Sequence, residues 1–292
     1  MNETTVVVAT RNRRDRLLEA LGRCDAPVIV VDNGSTDGTP DAVRARFPEV
    51  RVVPLTRNTG AAARNIGVEL ARTPFVAFAD DDSYWAPGAL ARAAELMRAY
   101  PSTGLLAARV LVGAEERLDP VSRSMAAAPL GDGPDQPGPS VLGFLACSVV
   151  VRRVAFRAVG GFDPVLRVYG EEALFALDLA AAGWRLAYVP ELVVHHFPER
   201  AGRDRSARQR METRNRLLTA LLRRPAAVVA RTALAALRDP AGRPGVWAAA
   251  RELGWAIRHR RRLPAEVEAA RARLDRWDAE PAFAAGDQRV AL

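Results

Sequence analysis

Over roughly its first 110 residues the chain alternates short β-branched runs with amphipathic stretches, and that rhythm calls for a parallel sheet with crossover helices. Val6-Val7-Val8-Ala9, Val28-Ile29-Val30-Val31, Val50 to Leu55 and Pro74 to Ala79 read as four strands. Between and after them, Asp15 to Gly22, Pro40 to Phe47, Gly60 to Ala71 and Pro87 to Ala99 carry apolar residues at helical spacing. Gly131 to Pro139, with its glycines and prolines, cannot hold a helix or a central strand and separates this half from a second unit. There, Val141 to Arg152 predicts a long strand or strand pair, Glu171 to Ala182 a helix, and Trp184 to Val189 and Leu192 to His195 two short strands. From Ser206 onward the pattern is helical, broken at Pro225, at Pro240 to Pro244 and at Pro264.

With 292 residues the chain can bury a substantial core, and 49% hydrophobic against 26% charged residues excludes a disordered or fibrous protein. Cys24 and Cys147 lie far apart, with no zinc-cage spacing and no disulfide framework. The N-terminus lacks a basic segment followed by an apolar one, so secretion is not expected; a cytoplasmic protein is, one that is either free or peripheral on the inner face of the membrane. The net charge of +8 invites a polyanionic partner, but it is unevenly spread. Residues 1–200 hold 22 arginines against 24 acids, and residues 201–292 hold 20 against 10. No lysine occurs anywhere, so lysine chemistry is excluded.

Candidate chemistry sits at the strand ends. Asp80-Asp81-Asp82 follows an apolar strand directly, and three adjacent carboxylates call for a cation among them. Alternation sends Asp80 and Asp82 to one face and Asp81 to the other, and oxygen ligands of this kind suit Mg²⁺ or Mn²⁺. A solvated acidic turn before the next helix is the plainer alternative. Asp32 ends the second strand, Thr10 and Arg11 follow the first, and Arg64 lies in a helix that begins beside Asn58-x-Gly60. Such groups can meet a base, a ribose or a phosphate. Asp32 can equally make an Asx turn, and Arg64 a surface ion pair.

Together the runs at residues 7–13 (Val-Val-Ala-Thr-Arg-Asn-Arg), 31–39 (Val-Asp-Asn-Gly-Ser-Thr-Asp-Gly-Thr), 58–67 (Asn-Thr-Gly-Ala-Ala-Ala-Arg-Asn-Ile-Gly) and 78–90 (Phe-Ala-Asp-Asp-Asp-Ser-Tyr-Trp-Ala-Pro-Gly-Ala-Leu) resemble the family 2 glycosyltransferases, over about residues 4–200. The resemblance implies a GT-A fold: an α/β, Rossmann-like, mostly parallel sheet flanked by helices, here followed by an Arg-rich helical extension at 201–292. Residues 1–110 would bind a nucleotide sugar and residues 140–200 would carry the acceptor side and the base. By the same resemblance Asp32 contacts the nucleobase, Thr10, Arg11 and Arg64 line the nucleotide pocket, Asp80 and Asp81 touch the donor, and Asp80 and Asp82 form the D-x-D pair.

The second half extends the likeness through Gly160-Gly161-Phe162-Asp163, Gly183-Trp184 and the Pro190 to His196 strand end. The family's acidic pair is Glu171-Glu172 here, with Leu174 where a second Asp often stands and Asp178 where Arg is usual. By position Glu172 is the general base, Glu171 and Trp184 lie on the acceptor side, and His196 joins Asp80 and Asp82 at the metal. The N-terminal dipole of the helix is expected to favour the ionised glutamates. Both are equally read as ordinary first-turn glutamates, and His195 as a packing residue on the opposite face.

The implied reaction is an inverting, metal-dependent transfer of a hexosyl or deoxyhexosyl group from a nucleoside diphosphate to a hydroxyl of a glycan, lipid-linked or small-molecule acceptor, as in cell-envelope polysaccharide synthesis. A sugar-phosphate nucleotidyltransferase would need a Gly-rich loop and a lysine after the first strand, where Thr10-Arg11-Asn12-Arg13 stands. A nucleic-acid partner is not expected, because the arginines come with no recognised binding motif. The 16 arginines against 4 acids of residues 201–262 fit either docking on the catalytic domain or contact with an anionic membrane surface.

Overall fold

A computed structural model describes residues 2–133, 135–198 and 204–279. Nine strands form one sheet: β1 (Thr4–Thr10), β2 (Val28–Asp32), β3 (Arg51–Pro54), β4 (Phe75–Ala79), β5 (Ser83–Trp85), β6 (Thr103–Val112), β7 (Arg117–Leu118), β8 (Val149–Arg152) and β9 (Arg185–His196). Their order is β3-β2-β1-β4-β8-β6-β9-β5, with β7 beside β6. The first four named in that order run parallel, as the β-branched runs predict. β8 is antiparallel to both β4 and β6, and β9 is parallel to β6. The carboxyl ends of β1, β2, β4, β6 and β9 therefore share one edge of the sheet, and β8 begins there.

Helices α1 (Arg14–Leu21), α2 (Thr39–Arg46), α3 (Ala63–Leu70), α4 (Ala89–Ala99), α5 (Pro120–Ala127), α6 (Arg153–Val159) and α7 (Glu171–Ala181) cover the sheet. Alternate residues of each strand enter opposite cores: Val6, Val8, Val30 and Leu106 face Leu17 and Met97, while Val7, Val31 and Val76 face Phe156, Phe162 and Phe175. Buried on both faces, these strands read as continuous apolar runs.

Beyond β4 the same sheet continues through β8, β6 and β9. Two expectations for the second half need correction. Val141 to Arg152 is not a long strand or pair; it is a loop, one 3₁₀ turn at Ala146–Ser148 and the short β8. The two short strands are one, since β9 passes through Pro190 at a register shift against β6 that leaves no ladder bond for the missing N–H to make.

The C-terminal region forms α8 (Arg205–Arg223), α9 (Ala226–Arg238), α10 (Arg243–Ala250), α11 (Leu253–Arg258) and α12 (Ala265–Ala279), broken at the prolines that the sequence marks. Leu217, Leu218 and Leu222 of α8 pack with Leu166, Leu174 of α7, Ala249 and Ala256, while Val267 and Leu274 of α12 meet Leu142 and Leu177. Three arginines of the extension are paired internally, one of them with the catalytic half. Arg223 pairs with Asp178, Arg214 with Glu252, and Arg224 with Glu268 and Asp275.

Candidate active site

At the carboxyl edge, the end of β4 turns sharply. Ser83 Oγ accepts the Asp80 N–H at 2.8 Å, and the three aspartates then point to three different partners. Arg64 of α3 donates to Asp80 at 2.5 Å. Thr10 Oγ1 donates to Asp81 at 2.8 Å, and Asp82 lies 3.3 Å from His196 Nε2. Strand pairing explains the last contact: Ser83 of β5 is in register with His196 of β9, and Phe197 N–H donates to the Asp82 carbonyl at 2.8 Å.

Electrostatics separates the three. Burial pushes the Asp81 carboxyl up to about 7, against the Thr10 hydrogen bond and with help from its two acidic neighbours. Burial opposes a charged His196, but the Asp82 hydrogen bond and the charges of Asp82 and Asp80 outweigh it and raise its pKa. His196 Nδ1 is buried without a partner. His195 faces away, stacked on Tyr84 and beside Glu116.

A second acidic pair stands at the start of α7. Glu171 is 4% exposed and Glu172 half-buried, and Glu172 Oε2 accepts the Gly170 N–H at 3.2 Å. Burial first, and then the charge of Glu172, holds the Glu171 pKa far above the ordinary range; burial also raises Glu172, against its own backbone N–H, the charge of Arg64 and the Gly170 N–H. The terminal dipole that favours the ionised glutamates is opposed by their burial, which favours the neutral form of each, Glu171 the more strongly. Arg64 links the two clusters: its charge is favoured by Asp80, Glu171 and Glu172 against complete burial.

The loop before α7 is held from two sides. Asn215 of α8, wholly buried, donates to the carbonyls of Leu166, Val168 and Tyr169 at 2.7 to 2.9 Å. Ala61 N–H donates to the Arg167 carbonyl at 2.7 Å, and Gly60 sits so close that a Cβ there would lie 2.6 Å from that oxygen. Asn65 then ties α3 to the Gly-Gly-Phe turn by exchanging two hydrogen bonds with the Phe162 backbone.

Of the residues singled out in the sequence, the edge gathers Thr10, Asp32, Arg64, Asp80, Asp81, Asp82, His196, Glu171 and Glu172. Several have roles narrower than expected. Thr10 is 2% exposed and given to Asp81, so it supports the aspartates from beneath and does not line an open pocket. Asp32, 1% exposed, accepts the Ser35 backbone N–H and hydroxyl in an Asx turn, and a nucleobase would have to share it with that turn. Arg11 is exposed beside the edge. Trp184 is misplaced by the sequence reading: it precedes β9, at the end of the sheet opposite His196, and packs over Gly104 and the apolar core. Sequence reasoning missed Asn33, whose side chain fixes Thr59 and Gly60, and it missed Asn65, Cys147 and Asn215. The first two lie inside motifs quoted for other residues; nothing in the sequence marked the last two.

The donor set suits a divalent cation. Ligand atoms of Asp80, His196 and Cys147 lie within 4.8 Å of one another, with Asp82 against the histidine; the carboxylates are of the kind that Mg²⁺ or Mn²⁺ takes, and the nitrogen and sulfur suit softer ions.

Comparison with known proteins places the chain in a family. The chain is 32% identical over 211 residues to the N-acetylglucosaminyl-diphospho-decaprenol L-rhamnosyltransferase of Mycobacterium tuberculosis, covering 61% of this chain and 68% of the relative. Its fold is similar to that of a mannosyltransferase from Pyrobaculum calidifontis solved with GDP-Man and Mn²⁺, at TM-score 0.56 and 23% identity over 98% of this chain and 76% of the other. Residues 1–349 of S. aureus TarS with UDP-GlcNAc match at TM-score 0.60 and 18% identity, over 93% and 88% of the two chains. The family model described as glycosyl transferase family 2 matches residues 5–160, and the chain belongs to that family of glycosyltransferases.

Proposed function

We propose that the protein transfers a hexosyl or deoxyhexosyl group, with inversion, from a nucleoside diphosphate sugar to a hydroxyl of a lipid-linked or glycan acceptor in cell-envelope polysaccharide synthesis. The observation that carries this reading is the pairing of two acidic clusters at one sheet edge, Asp80 and Asp82 beside His196 and Arg64, and Glu172 beside the buried Glu171. Asp80, Asp82 and His196 would hold Mg²⁺ or Mn²⁺. When bound, that cation supplies positive charge to the departing diphosphate, so no general acid is required. Asp32, Arg11 and Asp81 bound the side on which base and ribose would lie. Glu172 takes the proton of the acceptor hydroxyl, and the hydrogen bond from Glu171 keeps it able to do so.

Residues 1–200 would make up the catalytic unit and 201–292 a helical extension that braces the base. The similarity to a rhamnosyltransferase named for a decaprenol-linked sugar favours a lipid-linked acceptor. Part of the extension agrees with contact at a membrane surface. Leu234, Leu237, Trp247, Leu253 and Ile257 are exposed on α9 to α11 among the exposed Arg231, Arg238, Arg251 and Arg258. No described helix is long and apolar enough to cross a membrane.

The test is a screen of nucleotide sugars by thermal shift with Mn²⁺, followed by transfer assays with and without chelator. One nucleotide sugar should stabilise the protein and be consumed only with metal present. Undiminished transfer in chelator would remove the metal role, and stabilisation by none would remove the donor class. Flotation with anionic liposomes should be salt-sensitive, and its absence would leave the extension as a brace alone.

A further inference from the structure

We infer that Cys147 is a ligand in the cation cluster, making it a mixed oxygen, nitrogen and sulfur site of Asp80, His196 and Cys147 that favours a thiophilic divalent ion over Mg²⁺. This rests on the reading that Asp80 and His196 bind a metal. The three ligand atoms lie within 4.8 Å of one another. Around an ion with bonds of about 2.0 to 2.3 Å, opposed ligands stand roughly 4 to 4.5 Å apart, so small side-chain rotations close the site.

The placement follows from the fold. β8 runs against β4, so the 3₁₀ turn at Ala146–Ser148 that opens it lands at the carboxyl edge, where β4 ends at the aspartates and β9 at His196. Cys147 is 3% exposed but belongs to none of the four apolar clusters, unlike Val149 to Val151 after it. Among the described residues its thiol has no hydrogen-bond partner. The Nδ1 of His196 is also buried without one. A cation among the three ligand atoms gives the thiol its partner. On binding, the S–H bond breaks, the sulfur–metal bond forms and the proton leaves to bulk water. Thiolate favours Zn²⁺ and Co²⁺, whereas an all-oxygen site favours Mg²⁺.

The test is Co²⁺ titration of the full chain, read by the near-ultraviolet thiolate-to-cobalt charge-transfer band, alongside Mn²⁺ binding by electron paramagnetic resonance. The wild type should develop the band up to one equivalent, Cys24→Ser should retain it, and Cys147→Ser should lose it. Cys147→Ser should also weaken Co²⁺ by at least about tenfold, because losing an outer-shell partner alone costs about 10–100-fold. It should keep its Mn²⁺ signal. Mn²⁺ binding without any band in wild type or Cys24→Ser overturns the inference, leaves the metal reading standing and makes Cys147 a small buried hydrophobe. Failure of both ions to bind overturns both.

Discussion

Asp82 has a histidine against it and Asp80 an arginine, whereas Glu171 has a buried oxygen with no partner and a second glutamate beside it. Both clusters stand at the same sheet edge and share Arg64 as a neighbour. The difference lies in what each lacks. The aspartates stand with a neutralising arginine and with a histidine whose second nitrogen is buried and, among the described residues, unpartnered, an arrangement suited to a cation. The glutamates are crowded and desolvated, which raises the pKa of both. Like-charged residues at one edge thus differ through their burial and their partners.

The largest predicted effect separates the clusters by substitution. Asp82→Asn should lose Mn²⁺ binding and reduce turnover about 10³-fold, the scale of several kcal/mol of charge stabilisation. Glu172→Gln should reduce turnover about 10²- to 10⁴-fold while donor binding is unchanged. Steady-state kinetics beside calorimetry of nucleoside diphosphate binding checks both. Weakened nucleoside diphosphate binding in Glu172→Gln, or Mn²⁺ binding retained in Asp82→Asn, would break the division of labour.

Next in size is the brace. Asn215→Ala leaves the buried Leu166 carbonyl and the part-buried Val168 and Tyr169 carbonyls without their donor and should destabilise the protein by about 2 kcal/mol, measured by denaturant unfolding. Its turnover should fall more than its donor affinity, because the loop it holds carries Glu172 and not the aspartates. Equal losses would mean that the extension supports the whole edge.

The smallest effect is in pH. Glu171 has a folded pKa above its unfolded one, so the stability it contributes is present below the unfolded value, near 4.3, and is lost as pH rises through the folded value. Glu171→Gln should therefore raise the Tm at pH 7.5 and leave it unchanged near pH 4, and a Gln amide that still donates to Glu172 should preserve turnover. A Tm rise of the same size at both pH values would contradict the assignment of the proton to Glu171. The rate of the wild type should fall on acidification at a pH above that of an ordinary glutamate, since burial raises Glu172.

The parallel half was legible because β1, β2 and β4 are buried on both faces and each ends in a polar cluster, so strand and site share one signal. The helical extension was legible through its prolines. The middle was not. β6, Thr103–Val112, is as apolar as β4, but neither bounding turns nor alternation distinguish it from a helix segment. β8 is only four residues long. Asp80, Asp82 and His196 could be named from motifs, yet their meeting depends on the β5 to β9 register. Cys147 and Asn215 reach the site through tertiary contacts with no local pattern. Trp184 went astray because a motif fixes its place in the chain and not the end of β9 on which it falls. The raised pKa of Glu171 was missed because a dipole is visible in sequence and burial is not.

The central claim is that cation and proton are handled by different acids at one edge. Mn²⁺ affinity in the presence of nucleoside diphosphate, measured by electron paramagnetic resonance on wild type, Asp82→Asn and Glu172→Gln, tests it most directly. The account predicts a wild-type affinity for Glu172→Gln and none measurable for Asp82→Asn. Mn²⁺ bound equally by all three, or lost from both variants, would contradict it.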